Sequence, residues 1–474
     1  MKKLHFMAAV ALLASSVIPA VAQRVEWRTS TEGNYWQLAK GMKFAAAPAQ
    51  GAQVIEVTNN QKQKLDGLGG CFNELGWDVL CDVSPELRQD VINKLFSKEE
   101  ANFTYCRMPI GSSDFGMNYY SLCDVDGDYD MINFSIARDR HILLRYIKEA
   151  QKVNPGLKMW ASPWTPPAWM KTNNHYASSY DNDKPNHNGL PREKEQELDR
   201  TGLRMEYGVL KAYALYFSKF VQAYAKEGVK IYAVNVQNEP CSPTKYSSCP
   251  WSPEDLAYFV GNFLGPRFEQ DDIDTEIYLG TCNRDNPAWS RTALDDPKAK
   301  KYWAGEGFQW DGNRALPHIY KEYPNLKMMH TEAECGNGSN DWGAAEHTWW
   351  QMSHYLRNGC VVFSYWNMVL SKGNVSPWGW KQNALVSVDP ETQTVTYNPE
   401  FYLMKHLCHW VNPGSVRLET TDRDDVLAFG NEDGSKVVMM VNRSNDDRNI
   451  SVKVGGQYLN TVLKAHSFHT VHIK

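Results

Sequence analysis

No long basic run occurs in this chain, and its formal net charge is −5. A surface of that sign does not attract a phosphate backbone, which argues against a nucleic-acid partner. HExxH is missing, His is scattered, and no Cys/His spacing resembles a zinc site, so no metal is expected. No GxGxxG follows the first strand candidate, which removes the fingerprint of a dinucleotide-binding sheet and any reason to expect a cofactor. Past the first residues no stretch is apolar enough to cross a bilayer. Repeats and low-complexity segments are lacking too. After Trp410 the chain contains neither Trp nor Cys, a composition shift that marks a second domain.

What the chain does have begins with its first residues. Lys2 and Lys3, the short apolar run Met7 to Val17, and Ala20-Val21-Ala22 read as a secretion signal cleaved after Ala22. With no Cys near that point, a lipid anchor is not expected. The reading is of a secreted or periplasmic protein. Of 474 residues, 42% are hydrophobic and 22% charged, enough to bury a sizeable core. Ten Cys in an exported chain permit disulfides without requiring them, with Cys241 and Cys249 the nearest credible pair and buried thiols the alternative. The 17 Trp exceed what a core needs. Flat rings that stack on the apolar faces of pyranoses would account for a surplus.

From Leu65 to Asn367 short apolar strands alternate with helical stretches. The strand candidates are Leu65–Phe72, Phe103–Pro109, Leu157–Ser162, Ile231–Gln237, Glu276–Thr281, Tyr302–Phe308, Lys327–Thr331 and Val361–Trp366. Ser84-Pro85-Glu86 and Ser252-Pro253-Glu254-Asp255 are helix starts, and Gly228 is a helix stop. Such alternation predicts an α/β (β/α)8 TIM barrel over residues 51–408, with an open doubly wound sheet as the fallback. Gly305 and Gly307 make the sixth strand the weakest. The polar segment Thr172–Thr201 predicts a long functional or mobile loop. Residues 409–474 carry Val-rich alternating runs, with Glu432-Asp433-Gly434 as a hairpin turn. They predict a small C-terminal antiparallel β-sandwich domain, to which residues 23–50 add strands.

Two Glu residues stand where barrel strands end, the place where such folds build sites. Glu239 follows the fourth strand in Asn238-Glu239-Pro240. Glu332 ends the seventh in His330-Thr331-Glu332, with Glu334 as its rival two residues on. Paired carboxyls are what glycoside cleavage needs: one protonated to release the leaving oxygen, one ionised to attack. Strands four and seven face each other across the mouth, so the pair can reach the roughly 5 Å separation of a retaining double displacement.

Six motifs in order, each at a strand end, then carry a resemblance. They are Gly67–Phe72, Arg107–Phe115, Ala161–Asn173, Asn238–Pro240, Thr331–Ala333 and Tyr365–Asn367. The chain resembles glycoside hydrolase family 30, the group that includes glucosylceramidases and β-1,6-glucanases. That resemblance implies Glu239 as general acid/base and Glu332, not Glu334, as nucleophile. It implies substrate-binding roles for Arg107 beside the nucleophile, for Asp114 and Trp164 on sugar hydroxyls, for Asn238 on the 2-hydroxyl, and for Trp366 as a floor. Trp310 lies in the motif that departs. Where glucosylceramidases read His-Trp-Tyr, this chain has Gln309-Trp310-Asp311, without the aromatic hydroxyl that would meet the nucleophile. The expected substrate is a β-1,6-linked glucan. Glucosylceramide or another β-glucoside is the alternative, and a non-catalytic carbohydrate-binding protein the remote one.

Overall fold

The computed structural model describes residues 24–181, 187–373, 375–422 and 424–474. The expected secretion signal over residues 1–22 lies outside them.

Eight parallel strands close a barrel in sequential order. They are β1 (Gly67–Cys71), β2 (Tyr105–Pro109), β3 (Lys158–Ser162), β4 (Ile231–Asn235), β5 (Glu276–Cys282), β6 (Trp303–Gln309), β7 (Lys327–Glu332) and β8 (Cys360–Asn367). β1, β2 and β8 are buried at every residue, because the outer helices cover one face and side chains fill the other. Tyr105, Trp160, Ala233, Tyr278, Met329 and Val362 form their own apolar cluster, the filling of the barrel. This filling explains the two glycines of β6. A Cβ on Gly305 would sit 2.2 Å from the Tyr278 ring, and one on Gly307 would sit 2.6 Å from Thr331 Cγ2. Those positions are empty so that their neighbours can be large.

The helix starts form as their sequences predict. Ser84 Oγ accepts from Leu87 N ahead of the helix Pro85–Phe96, and Ser252 Oγ accepts from Asp255 N ahead of Pro253–Phe259. In the segment after β3, residues 182–186 lie outside the described set. The described remainder is tied down by Lys171, whose buried ammonium donates to the carbonyls of Tyr176, Ala177 and Ser248. All ten Cys are free thiols, Cys241 and Cys249 included.

The second domain is a ten-stranded sheet folded over a separate core. Its last strand, Ser467–Ile473, pairs on one side with Lys436–Asn442 and on the other with Val25–Thr31. The two ends meet: Arg24 N donates to Lys474 O at 3.1 Å, and Lys474 N to Arg24 O at 2.9 Å. Gln53–Lys64 also belongs here, which corrects the expectation that the barrel begins at residue 51. Its first residues run parallel to Ile450–Lys453, and its later ones antiparallel to Val416–Thr420, so one strand turns the corner between layers. It is exposed along much of its length, unlike the barrel strands, and buries chiefly Ile55 and Val57.

Glu306 is buried between β6 and the helix Pro287–Leu294, where Ser290 Oγ donates to its Oε1 at 2.5 Å. Among the described residues its other oxygen has no partner. Burial pushes its pKa up from 4.5 to about 8. The folded chain therefore keeps a proton that the unfolded chain releases, and stability falls as pH rises from about 4.5 to about 8. Glu306→Gln should remove that slope. By calorimetry its Tm should match the parent near pH 4 and exceed it by several degrees at pH 8. A variant that melts lower at both values would refute the assignment.

Candidate active site

Glu332 is the last residue of β7, and Glu239 lies four residues beyond β4. The backbone at Glu239 is left-handed, with φ 46°. For a non-glycine residue this is a strained conformation of order 1–3 kcal/mol, held only where the surroundings impose it. Here Asn238 N donates to Pro163 O at 2.7 Å, and Glu239 N donates to Thr281 Oγ1 at 3.0 Å. Pro240 follows, so the strand cannot continue. Trp310 is likewise left-handed, with φ 48°, immediately after β6. Both turns swing a side chain over the barrel mouth.

Arg107, inside the barrel mouth with no exposed surface, is the hub. Nη1 donates to Glu332 Oε2 at 2.9 Å and to Thr331 O at 3.1 Å. Nη2 donates to Asn238 Oδ1 at 2.6 Å and, with Nε, to Ser162 Oγ. Its guanidinium carbon lies 4.4 Å from the Trp164 ring centre and 5.3 Å from that of Trp366, and these two rings stack on each other at 5.2 Å. Trp164 and Trp366 thus wall the cation and stand fully buried, while Trp366 Nε1 has no acceptor among the described residues. A fork this constrained holds the Glu332 carboxylate in one orientation.

The second oxygen of Glu332 accepts from Trp310 Nε1 at 3.2 Å. Glu239 is held differently, by neutral donors alone. Gln309 Nε2 reaches its Oε1 at 3.1 Å and Tyr246 OH its Oε2 at 3.2 Å. Gln309 Oε1 in turn accepts from Thr331 Oγ1 at 2.9 Å, which fixes the direction of the amide.

These contacts set the electrostatics. Burial, reinforced by the Glu332 charge, raises Glu239 from 4.5 to about 7, against the pull of Gln309, Tyr246 and Arg107. Burial raises Glu332 as well, but Arg107 touches it directly and opposes the rise, with Trp310 helping. Asp114 is pushed well up by burial and by both glutamate charges. Three carboxyls share one cation, so Glu332, in contact with it, is the first to ionise. Asp114 sits in the loop after β2, anchored by Ser376 Oγ donating to its carbonyl at 2.7 Å, and among the described residues its Oδ1 has no partner.

Glu334 goes elsewhere. The strand ends at Glu332, alternation ends with it, and Glu334 turns toward the helix Trp342–Arg357, where Oε2 meets His347 Nε2 at 2.9 Å. Glu239, Tyr246, Trp310 and Asp311 border an open cleft of about 560 Å³. The structure thus gathers Glu239, Glu332, Arg107, Asn238 and Trp310 in one hydrogen-bonded set, packs Trp164 and Trp366 against it, and sets Asp114 within range of its charges. Sequence reasoning missed Ser162, Thr281 and Tyr246, and noted Gln309 only as a departure. Gln309 ends a barrel strand and could have been found by that position. Tyr246 lies in an irregular loop with no periodic signal.

Comparison with known proteins bears on the fold and the family. Residues 65–411 match the glycosyl hydrolase family 30 TIM-barrel domain, and residues 414–471 the family 30 beta sandwich domain. The lysosomal acid glucosylceramidase of Mus musculus is 26% identical, over 96% of this chain and 89% of its own. Among solved structures, SrfJ from Salmonella typhimurium superposes with a TM-score of 0.83 at 25% identity, covering 95% of this chain and 99% of that one. An endo-β-1,6-glucanase superposes with a TM-score of 0.79, also at 25% identity, covering 94% and 98%. With both domain models matched in order, the chain belongs to glycosyl hydrolase family 30.

Proposed function

We propose that this protein is a secreted retaining β-glycosidase that cleaves β-1,6-linked glucan, with Glu332 as nucleophile and Glu239 as general acid/base. The observation that carries this reading is the contrast between the two carboxyls. Glu332 is held by a guanidinium and an indole N–H. Glu239, held by neutral groups, is raised to about 7. One is prepared to be an anion, the other to keep a proton.

In the first step a Glu332 oxygen attacks the anomeric carbon while Glu239 passes its proton to the leaving oxygen. A glycosyl ester forms on Glu332 and the aglycone departs neutral. Esterification removes the Glu332 charge that raises Glu239, so Glu239 becomes a stronger acid and stays ionised. In the second step Glu239 takes a proton from water, whose oxygen attacks the anomeric carbon. The ester breaks, Glu332 leaves as carboxylate, and Glu239 has regained its proton. Gln309 and Tyr246 donate to Glu239 throughout, which favours its ionised form in the second step. Arg107 receives the Glu332 charge back.

The β-1,6-glucan assignment is supported by the likeness to an endo-β-1,6-glucanase over nearly the whole chain. Likeness to the mouse glucosylceramidase supports a β-glucoside with a lipid aglycone as the second reading. Incubation with a panel of β-1,3-, β-1,4- and β-1,6-glucans and glucosylceramide, followed by product sizing, separates them. The β-1,6-glucan should be shortened and the others left intact. Proton NMR of the first product should show the β anomer. An α anomer would rule out double displacement.

A further inference from the structure

At the opposite end of the barrel from Glu239 and Glu332, a groove of about 420 Å³ runs along the seam with the β-domain. Its position follows from Gln63, whose amide nitrogen donates to the carbonyls of Leu356 and Cys360, where the helix Trp342–Arg357 ends and β8 begins. None of the residues lining the catalytic cleft lines this groove. Arg417 lines it and is only 5% exposed. Its Nε donates to Gln63 Oε1 at 3.2 Å, and Gln63 is itself pinned by its two carbonyls. Among the described residues no carboxylate lies within 4.0 Å of Arg417, and its two Nη groups have no protein acceptor.

Burial pushes the Arg417 guanidinium down from its ordinary pKa, and the charge of Glu419 opposes that shift without being in contact with it. Glu419, two residues on, is engaged by Lys62 at 3.3 Å and by Asn60 at 2.8 Å. Asp425, close to the groove, binds Arg443 and Arg448. Lys62, Arg357, Arg417 and Arg443 line the groove together with Glu419 and Asp424, and of these cations Lys62 is engaged by Glu419 and Arg443 by Asp425. Beside them Trp350 is 38% exposed, an unusual state for an indole, with His347 and His354 stacked along it at 5.6 Å each. A planar fork with unused donors and an exposed aromatic ring beside it describe a ligand that is both a carboxylate and a sugar.

We propose that this groove is a second saccharide site that takes a uronic-acid unit, with the Arg417 Nη groups on its carboxylate and Trp350 against its ring. The site does not depend on the catalytic reading. Its role is to hold an acidic branch or neighbouring chain of a mixed polysaccharide while the barrel mouth works elsewhere on the polymer.

Titration of the full chain by calorimetry at low salt, with D-glucuronate, D-glucose and sodium sulfate as probes, tests it. Glucuronate should bind saturably, sulfate more weakly, and glucose not at this site. Arg417→Gln should weaken glucuronate about tenfold or more, the scale of a lost bidentate contact. Turnover of an aryl β-glucoside should be unchanged in that variant. Glucuronate binding that survives Arg417→Gln overturns the proposal, as does the absence of binding. Sulfate bound as tightly as glucuronate overturns the saccharide assignment and leaves a plain oxyanion site. Should Arg417→Gln fail to fold, the wild-type protein decides the matter by NMR. The indole N–H resonance assigned through Trp350→Phe must move with glucuronate and stay still with glucose; a resonance that does not move with glucuronate also overturns the site.

Discussion

Glu332→Gln should abolish turnover, by about four orders of magnitude or more, while Glu334→Gln should keep most of it. That scale is what removal of a covalent nucleophile produces. The two residues are two positions apart, yet their surroundings differ entirely. Glu332 receives Arg107 and Trp310, whereas Glu334 points outward to His347. An amide at 332 retains a carbonyl oxygen for Arg107, and the guanidinium keeps Ser162, Asn238 and Thr331 as partners, so the variant should fold. A thermal melt close to the parent's would show that chemistry, not structure, was lost. A mechanism-based fluoro-sugar found by mass spectrometry on Glu334 would sink the assignment.

Glu239→Ala should divide substrates by their leaving groups. Natural glucan, whose departing alkoxide needs a proton, should lose nearly all its rate. An activated aryl glycoside needs little protonation and should still form the glycosyl ester, then stall, because water has no base. Azide should restore turnover in this variant and give a β-glycosyl azide. The pH profile tests the same point. In the parent the alkaline limb should fall through about 7, where Glu239 loses the proton it must donate. The acid limb should report mainly Glu332. Without Glu239 the alkaline limb should flatten. Equal losses on natural and activated substrates, with no response to azide, would remove Glu239 from the mechanism.

The barrel was legible because its strands are short apolar runs separated by helices with explicit caps. Each candidate strand overlaps an observed one, and even the glycine-broken β6 forms. Periodicity could not reveal why β6 tolerates glycine, since the answer lies on β5, in the Tyr278 ring. Gln53–Lys64 was misplaced for a related reason. Its alternation suits any half-buried strand, and only its partners far along the chain assign it to the accessory sheet. Within the site, the positions of Glu239 and Glu332 could be read from where their strands stop. The roles assigned to them came from the family resemblance, because strand ends alone do not tell which donors reach which oxygen. Tyr246 arrives from an irregular loop, and Trp310 aims its N–H only because its backbone turns left-handed. The contest between Glu332 and Glu334 was beyond alternation for the same reason: the strand stops between them.

The meeting of Arg24 with Lys474 bears on how the molecule is made. A strand near the start of the described chain, Val25–Thr31, finds its partner in Ser467–Ile473, so it must wait while the intervening residues emerge from the ribosome. During that interval one of its edges, opposite Asn34–Ala39, has no partner, and Gln53–Lys64 likewise waits for Val416–Thr420. The barrel, whose strands each pair with the next in order, can assemble as it is synthesised. Completion of the accessory sheet therefore comes last and joins both ends of the path in one act. A nascent chain stopped short of Ser467 would hold a nearly finished barrel and a leading strand paired on one side only, with Asn34–Ala39, a form suited to recognition by chaperones.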